Sequence, residues 1–143
     1  MIKKDILIAA KQFLCWDTFP DLNIQLIEVV EPVSYFFAPK PESAAILLFI
    51  RSENGDYSKS LFLLFHEVGH YLQFRDFQKS DQITQYWYLV DEASGTEKIQ
   101  FEESAWIKGR EFYQKFINTQ SSSLHNYFSK FNEYAQKSIN TYF

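Results

Sequence analysis

The longest regular patterns of apolar positions along the chain have the period of an α-helix. Residues 58–76 contain no proline, and their apolar side chains recur every three or four positions, with Ser58 or Ser60 expected to cap the helix start. Residues 2–14, 96–118 and 124–142 show the same period and predict three further helices. The apolar stripe of residues 58–76 comprises Leu61, Leu64, Phe65, Val68 and Leu72.

Between the helical segments 2–14 and 58–76, the pattern changes to that of strands. Residues 23–30 alternate between polar and apolar side chains, and residues 33–38 predict a second strand that pairs with the first as a hairpin. Pro39 and Pro41 indicate a turn after it. Residues 44–51 form a continuous apolar run that fits a third strand, whereas the pattern of residues 82–90 fits either a helix or a strand. Strands followed by helices predict the α+β class.

The sequence His66-Glu67-Val68-Gly69-His70 carries the chemistry of the chain. On a helix, positions i and i+4 share one face, so the two imidazoles converge on one point and can bind one metal ion. Glu67 lies one residue along, close enough to take a proton from a water molecule at that ion. The motif therefore predicts Zn²⁺ bound by His66 and His70, with Glu67 as general base.

A catalytic zinc site takes three protein ligands and leaves the fourth position to water. Glu102 is the third ligand that the pattern favours, because it heads the buried stripe of residues 96–118 together with the small residues Ala105 and Gly109. Glu103 points about a quarter turn away from that stripe. The competing candidates are Asp91, Glu92 and His125.

The motif and the downstream Glu102-x-x-Ala105 together resemble the small gluzincin-type metallopeptidases of the ImmA/IrrE-like family. The resemblance covers roughly residues 44–117. It implies a zincin-like domain, in which a short N-terminal β-sheet packs against the zinc-binding helix and further helices follow. It also implies that the strand before that helix, here residues 44–51, lies at the sheet edge and pairs with an extended substrate.

The function predicted on this basis is zinc-dependent hydrolysis of peptide bonds by an endopeptidase. A second donor to the oxyanion is usual, and the candidates are Tyr71, Tyr86, Tyr88, Tyr113 and His125. An alternative is a catalytically silent binding or regulatory protein on a zincin scaffold. A structural metal site is disfavoured, since such sites use cysteine ligands and the chain has one cysteine.

Length and composition narrow the class of protein further. The 143 residues are expected to form one domain, residues 1–143, without disulfides. The net charge of −4 and the pI near 5.3 argue against nucleic-acid or anionic-membrane partners, and no segment has a membrane-spanning length of apolar residues. Cys15 is assigned to packing and fits a reducing compartment. We expect a cytoplasmic protein whose partner is a protein or peptide substrate, which can be one specific partner; oligomeric state stays open.

Overall fold

The computed structural model of the protein describes residues 1–28, 33–40, 43–50, 52 and 54–143. These residues form two compact units, Met1–Glu67 and Val68–Phe143. The first unit contains the N-terminal helix, the strands and the beginning of the motif helix, and the second unit is helical. The mixture of helix and strand agrees with the predicted α+β class, whereas the zincin-like arrangement and the single domain stay predictions.

The chain begins with helix α1, Lys4–Gln12, which continues into a π-helical segment, Phe13–Thr18. Leu7, Ala10 and Leu14 are buried at helical spacing. Ile6, an apolar residue of the predicted helix 2–14, is only half-buried, because the buried stripe runs through its neighbour Leu7. Cys15 is half-buried, and burial raises the pKa of its thiol, which agrees with a packing role.

Three strands follow: β1, Leu22–Glu28; β2, Val33–Lys40; and β3, Ser43–Ile50. The order in the sheet is β1-β3-β2, with β1 parallel and β2 antiparallel to β3. Two expectations are therefore wrong. The strands β1 and β2 do not form a hairpin, and β3 lies between two neighbours instead of at the sheet edge.

The hydrophobicity of β3 explains why it takes the central position. A strand with neighbours on both sides is the most deeply covered in a sheet, and a continuous apolar run suits that position better than an alternating one. Ile46, Leu48 and Ile50 of β3 are buried together with Ile24 of β1.

Pro39 lies within β2, beside a register irregularity between Phe37 and Lys40, and not in the expected turn. An edge strand with a bulge tolerates a residue that has no backbone N–H. Residues 29–30, 41 and 51, which belong to the predicted strand ends and turn, lie outside the described residues.

Helix α2, Ser58–Lys79, carries the motif and runs three residues beyond its predicted end. Helix α3, Ile83–Asp91, resolves the ambiguous segment in favour of a helix, and helix α4, Gly95–Asn118, matches its prediction closely. A short 3₁₀ turn, Ser122–Leu124, precedes helix α5, Tyr127–Asn140. Across the part of the chain that the structure describes, none of these helices has the length and apolarity needed to span a bilayer.

Aromatic side chains fill the core of the second unit. Tyr113 of α4 stacks on Phe131 of α5, with ring centroids 4.5 Å apart, and Trp106 meets the same ring edge-on. The buried Tyr113 hydroxyl donates a hydrogen bond to the carbonyl of Tyr127, 3.0 Å away, and burial raises its pKa. These contacts hold α4 against α5, and Glu102 lies on α4 one turn before Trp106, nearer the N-terminal end of the helix.

Candidate metal centre

The motif helix begins beside Asp56, whose carboxylate satisfies groups at the helix start. Its Oδ1 accepts hydrogen bonds from the backbone N–H groups of Ser58 (3.1 Å) and Ile2 (2.9 Å), and its Oδ2 accepts one from Ser58 Oγ (2.9 Å). Burial raises the pKa of this carboxyl, but the hydrogen bonds from Ile2 and Ser58 lower it by more, so the pKa is below its usual value. The expectation that Ser58 or Ser60 caps the helix is thus wrong: Ser58 donates to Asp56, and Ser60 is buried in the first turn.

The two motif histidines lie one turn apart on α2, and Glu102 lies on α4. One ligand atom from each of His66, His70 and Glu102 falls within 4.8 Å of the other two. The three residues are buried, with 7%, 9% and 8% of their surface exposed. The structure thus brings together the three residues that the sequence selected as ligands, and this group could hold a metal ion.

The helices α2 and α4 make a close main-chain contact at Gly69, the residue before His70. A Cβ atom added at Gly69 would lie 1.8 Å from the carbonyl oxygen of Ala105. On the α4 side this contact is made by the main chain of Ala105, a small residue of the buried stripe, and on the α2 side it requires the glycine at a variable position of the motif, Gly69. Because Gly69 directly precedes His70 and Ala105 follows Glu102 by three residues, this contact limits how far apart His70 and Glu102 can lie.

Gln73 supports His70 from the side away from Glu102, and sequence reasoning missed it. Gln73 Oε1 lies 2.8 Å from His70 Nδ1, and Gln73 Nε2 donates a hydrogen bond to the carbonyl oxygen of Phe101, 2.7 Å away. The other ring nitrogen, Nε2, lies 3.2 Å from Glu102 Oε2. Gln73 follows His70 by three residues and so lies on the same helix face, but no pattern in the sequence assigns it this contact.

Lys98 is the second residue that the sequence did not indicate. Its ammonium group lies 3.8 Å from Glu102 Oε1 and donates hydrogen bonds to the carbonyls of Leu89 (3.1 Å) and Val90 (2.9 Å) at the end of α3. The two oxygens of Glu102 therefore face different partners, Oε1 towards Lys98 and Oε2 towards His70. One carboxylate oxygen is thereby directed towards the histidines.

Glu67, the predicted general base, is also buried, with 6% of its surface exposed. It follows His66 directly in α2, in the turn that separates the two histidines. A carboxylate in such a shielded position is suited to proton transfer, because few water molecules compete for it.

The competing third ligands lie outside the metal group. Asp91 and Glu92 are exposed at the end of α3, and His125 is exposed after the 3₁₀ turn. None of the three joins His66 and His70 in a ligand cluster among the residues that the structure describes.

Two of the candidate oxyanion donors are engaged elsewhere. The Tyr88 hydroxyl donates to Glu97 Oε1 at 2.9 Å, and the Tyr113 hydroxyl donates to the carbonyl of Tyr127. The buried ring of Tyr86 packs edge-on against Phe74 and Phe101. Tyr71, which follows His70 on α2, is buried beneath the guanidinium of Arg75. The assignment of the oxyanion donor stays open.

A cavity of about 470 Å³ lies on the other side of Gln73, between α2, α3 and α4. Gln73 and Phe101, which both support His70, also line this cavity, and the ion pair of Asp76 and Lys108 borders it. Its wall contains neither histidine of the motif nor Glu102. The cavity is therefore separate from the group of His66, His70 and Glu102.

Comparison of the chain with protein-family models, with curated proteins and with solved structures gave no match.

Proposed function

We propose that the chain is a zinc-dependent metallopeptidase, an endopeptidase with Glu67 as general base. The observation that carries the proposal is the buried group of His66, His70 and Glu102, whose ligand atoms lie within 4.8 Å of one another. Two imidazoles and one carboxylate form a known ligand set of catalytic zinc, which keeps one further position for water or substrate. The resemblance of the motif and of Glu102-x-x-Ala105 to ImmA/IrrE-like metallopeptidases supports the same function.

The spacing of one donor pair is close to that of a zinc site. Bonds of about 2.0–2.2 Å in a tetrahedral site separate ligand atoms by roughly 3.3–3.6 Å. The separation of 3.2 Å between His70 Nε2 and Glu102 Oε2 is close to that range. Because the amide of Gln73 donates to a carbonyl, its oxygen must face His70 Nδ1, and that nitrogen carries a proton. His70 Nε2 and Glu102 Oε2 then face each other and need a positive charge between them, which either a second ring proton or a metal ion supplies.

In the proposed reaction, three residues bind the metal and a fourth transfers protons. His66, His70 and Glu102 would hold the zinc ion, which when bound lowers the pKa of water and polarises the scissile carbonyl. The carboxylate of Glu67 accepts a proton from the attacking water as the new carbon–oxygen bond forms. It then passes that proton to the leaving amine as the carbon–nitrogen bond breaks. Atoms and protons balance: one water molecule and one peptide bond give a carboxyl group and an amine.

A second candidate function is a binding or regulatory protein on the same scaffold. One observation favours it. The strand before α2 has a neighbour on each side, so the expected docking of an extended peptide along that strand does not take place at a free sheet edge. In this alternative, the metal group would stabilise the fold without turnover.

Replacing Glu67 by Gln tests the catalytic role. The amide keeps the shape of the side chain but cannot accept a proton, so we expect zinc content near one ion per chain and a loss of peptide cleavage of about 10²–10⁴-fold. Glu103→Gln is the matched control, because Glu103 is an exposed glutamate on α4.

The single, half-buried Cys15 fits a reducing compartment, so we propose that the substrate is one specific protein of the same cell. The assay should therefore compare the new N-termini that wild type, Glu67→Gln and Glu103→Gln generate in a whole-cell lysate. Identical cleavage profiles for wild type and Glu67→Gln would contradict the peptidase and favour the binding protein. Zinc content unaffected by replacing both His66 and His70 with Ala would contradict the metal site.

A further inference from the structure

We propose that Gln73 is the positioning residue of the metal centre: it orients the ring of His70 and connects that ring to the backbone of the helix that carries Glu102. The inference rests on the metal binding of the proposed function. It concerns a residue outside the motif, on the side of His70 that faces away from the other ligands.

The burial of Gln73 indicates that its amide has a specific task. Only 3% of its surface is exposed, and a buried amide is costly unless its polar atoms are hydrogen-bonded. Fixing a long glutamine side chain also costs rotamer entropy. An aliphatic residue at this position of α2 would avoid both costs. The amide is instead bonded at both ends, by Oε1 to His70 and by Nε2 to Phe101.

The direction of these two hydrogen bonds sets the role of each ring nitrogen. The carbonyl of Phe101 can only accept, so the Gln73 NH₂ group must face it at 2.7 Å. The Gln73 oxygen then faces His70 Nδ1 at 2.8 Å and accepts a hydrogen bond from the N–H group there. Nε2 is left as the nitrogen that faces Glu102 Oε2. Hydrogen bonds of this kind fix the tautomer and the orientation of metal-binding histidines.

The same amide couples the two helices that supply the ligands. His70 and Gln73 lie on α2, whereas Phe101 lies on α4 and directly precedes Glu102. The ring of Phe101 also contacts the ring of His70, with centroids 5.1 Å apart. A shift of α4 relative to this part of α2 would therefore break the Gln73 bridge at the same time as it moved Glu102. The separation of α2 and α4 therefore affects both the hydrogen bonds of Gln73 and the distance between His70 and Glu102.

The test compares three variants in zinc titration of the metal-free protein. Gln73→Leu removes both hydrogen bonds at similar volume, and we expect zinc affinity to fall about 10–100-fold, as for other residues that support a metal ligand. Gln73→Glu keeps an oxygen for His70 Nδ1 but loses the donor to the Phe101 carbonyl, so its affinity should lie between those of Gln73→Leu and wild type. Gln100→Leu, an exposed glutamine on α4, is the matched control and should leave the affinity unchanged.

A second readout needs neither metal nor activity. In ¹⁵N NMR spectra of the metal-free protein, Nδ1 of His70 should carry a proton in wild type, in Gln73→Glu and in Gln100→Leu. This proton should exchange with solvent much faster in Gln73→Leu. A purely structural role would lower the stability of Gln73→Leu and Gln73→Glu alike, without the partial recovery of affinity in the latter.

The outcomes separate this inference from the proposed function. If wild type binds no zinc, the metallopeptidase proposal fails, while the metal-free spectrum still tests the hold of Gln73 on His70. If wild type binds zinc and Gln73→Leu binds it equally well, the positioning role is overturned and the peptidase proposal stands. If Gln73→Leu does not fold, the wild-type spectrum decides: Nδ1 without a proton would overturn the inference.

Discussion

Gly69→Ala tests the main-chain contact on which the site depends. The added Cβ would lie 1.8 Å from the oxygen, 2.6 Å from the carbonyl carbon and 2.9 Å from the Cα of Ala105. Ordinary contact begins near 3.4 Å, so α2 and α4 must separate here by about 1.6 Å. No rotamer change relieves the overlap, because the three atoms belong to the main chain of α4.

Two opposing terms determine the effect on stability. Alanine is favoured over glycine inside a helix by about 1 kcal/mol. Overpacking costs about 1–3 kcal/mol, and the overlap with main chain indicates the upper end of that range. The free energy of unfolding should therefore fall by about 2 kcal/mol, which corresponds to a decrease in Tm of roughly 8 °C for a chain of this length. A site tolerates displacements of only about 0.5 Å, so zinc affinity should fall at least tenfold.

The assay is thermal and urea unfolding in chelator, followed by zinc titration of the same samples. Gly95→Ala is the control, because Gly95 has a positive φ of 59° and lies in open space at the start of α4. A left-handed conformation costs alanine about 1–2 kcal/mol, so this variant should lose comparable stability and keep its zinc affinity. A Gly69→Ala protein that is as stable as wild type and binds zinc normally would refute the close approach of the helices.

Two further predictions concern the third ligand and the start of the motif helix. Glu102→Ala should weaken zinc binding by more than about 100-fold, whereas the exposed Glu103→Ala should change it by less than about threefold, as measured by competition with a chelator; equal effects would contradict the ligand assignment. Asp56→Asn should lower the free energy of unfolding at pH 7 by about 1 kcal/mol, because the amide loses the negative charge near the helix start and keeps only one of the two acceptor oxygens. Hydrogen bonds lower the pKa of Asp56 in the folded protein, so its contribution is present above the unfolded pKa of about 3.9 and is lost as the pH falls through the folded value. Urea unfolding at pH 7 and pH 3 should therefore show a gap between wild type and Asp56→Asn that closes in acid, and a constant gap would contradict the assignment.

The sequence by itself determined those parts of the site that depend on the geometry of one helix. His66 and His70 share a face because four residues are close to one turn, whatever surrounds the helix. The same argument separated the buried Glu102 from the exposed Glu103, since the apolar stripe of α4 already shows which side faces the interior. The helices of the second half followed from the same periodicity, except α3, whose short apolar run fits both helix and strand.

The tertiary structure decided every feature that joins segments distant in the chain. Strand order is one: β1 and β2 are neighbours in sequence, yet both pair with β3. An apolar pattern indicates that a strand is covered but does not name its partners. The contacts of Gln73 and Gly69 with α4 are two more such features, because a glutamine or a glycine in a helix carries no pattern of its own. Their roles depend on the main chain of Phe101 and Ala105, about thirty residues away, and backbone carbonyls are the same for every residue type.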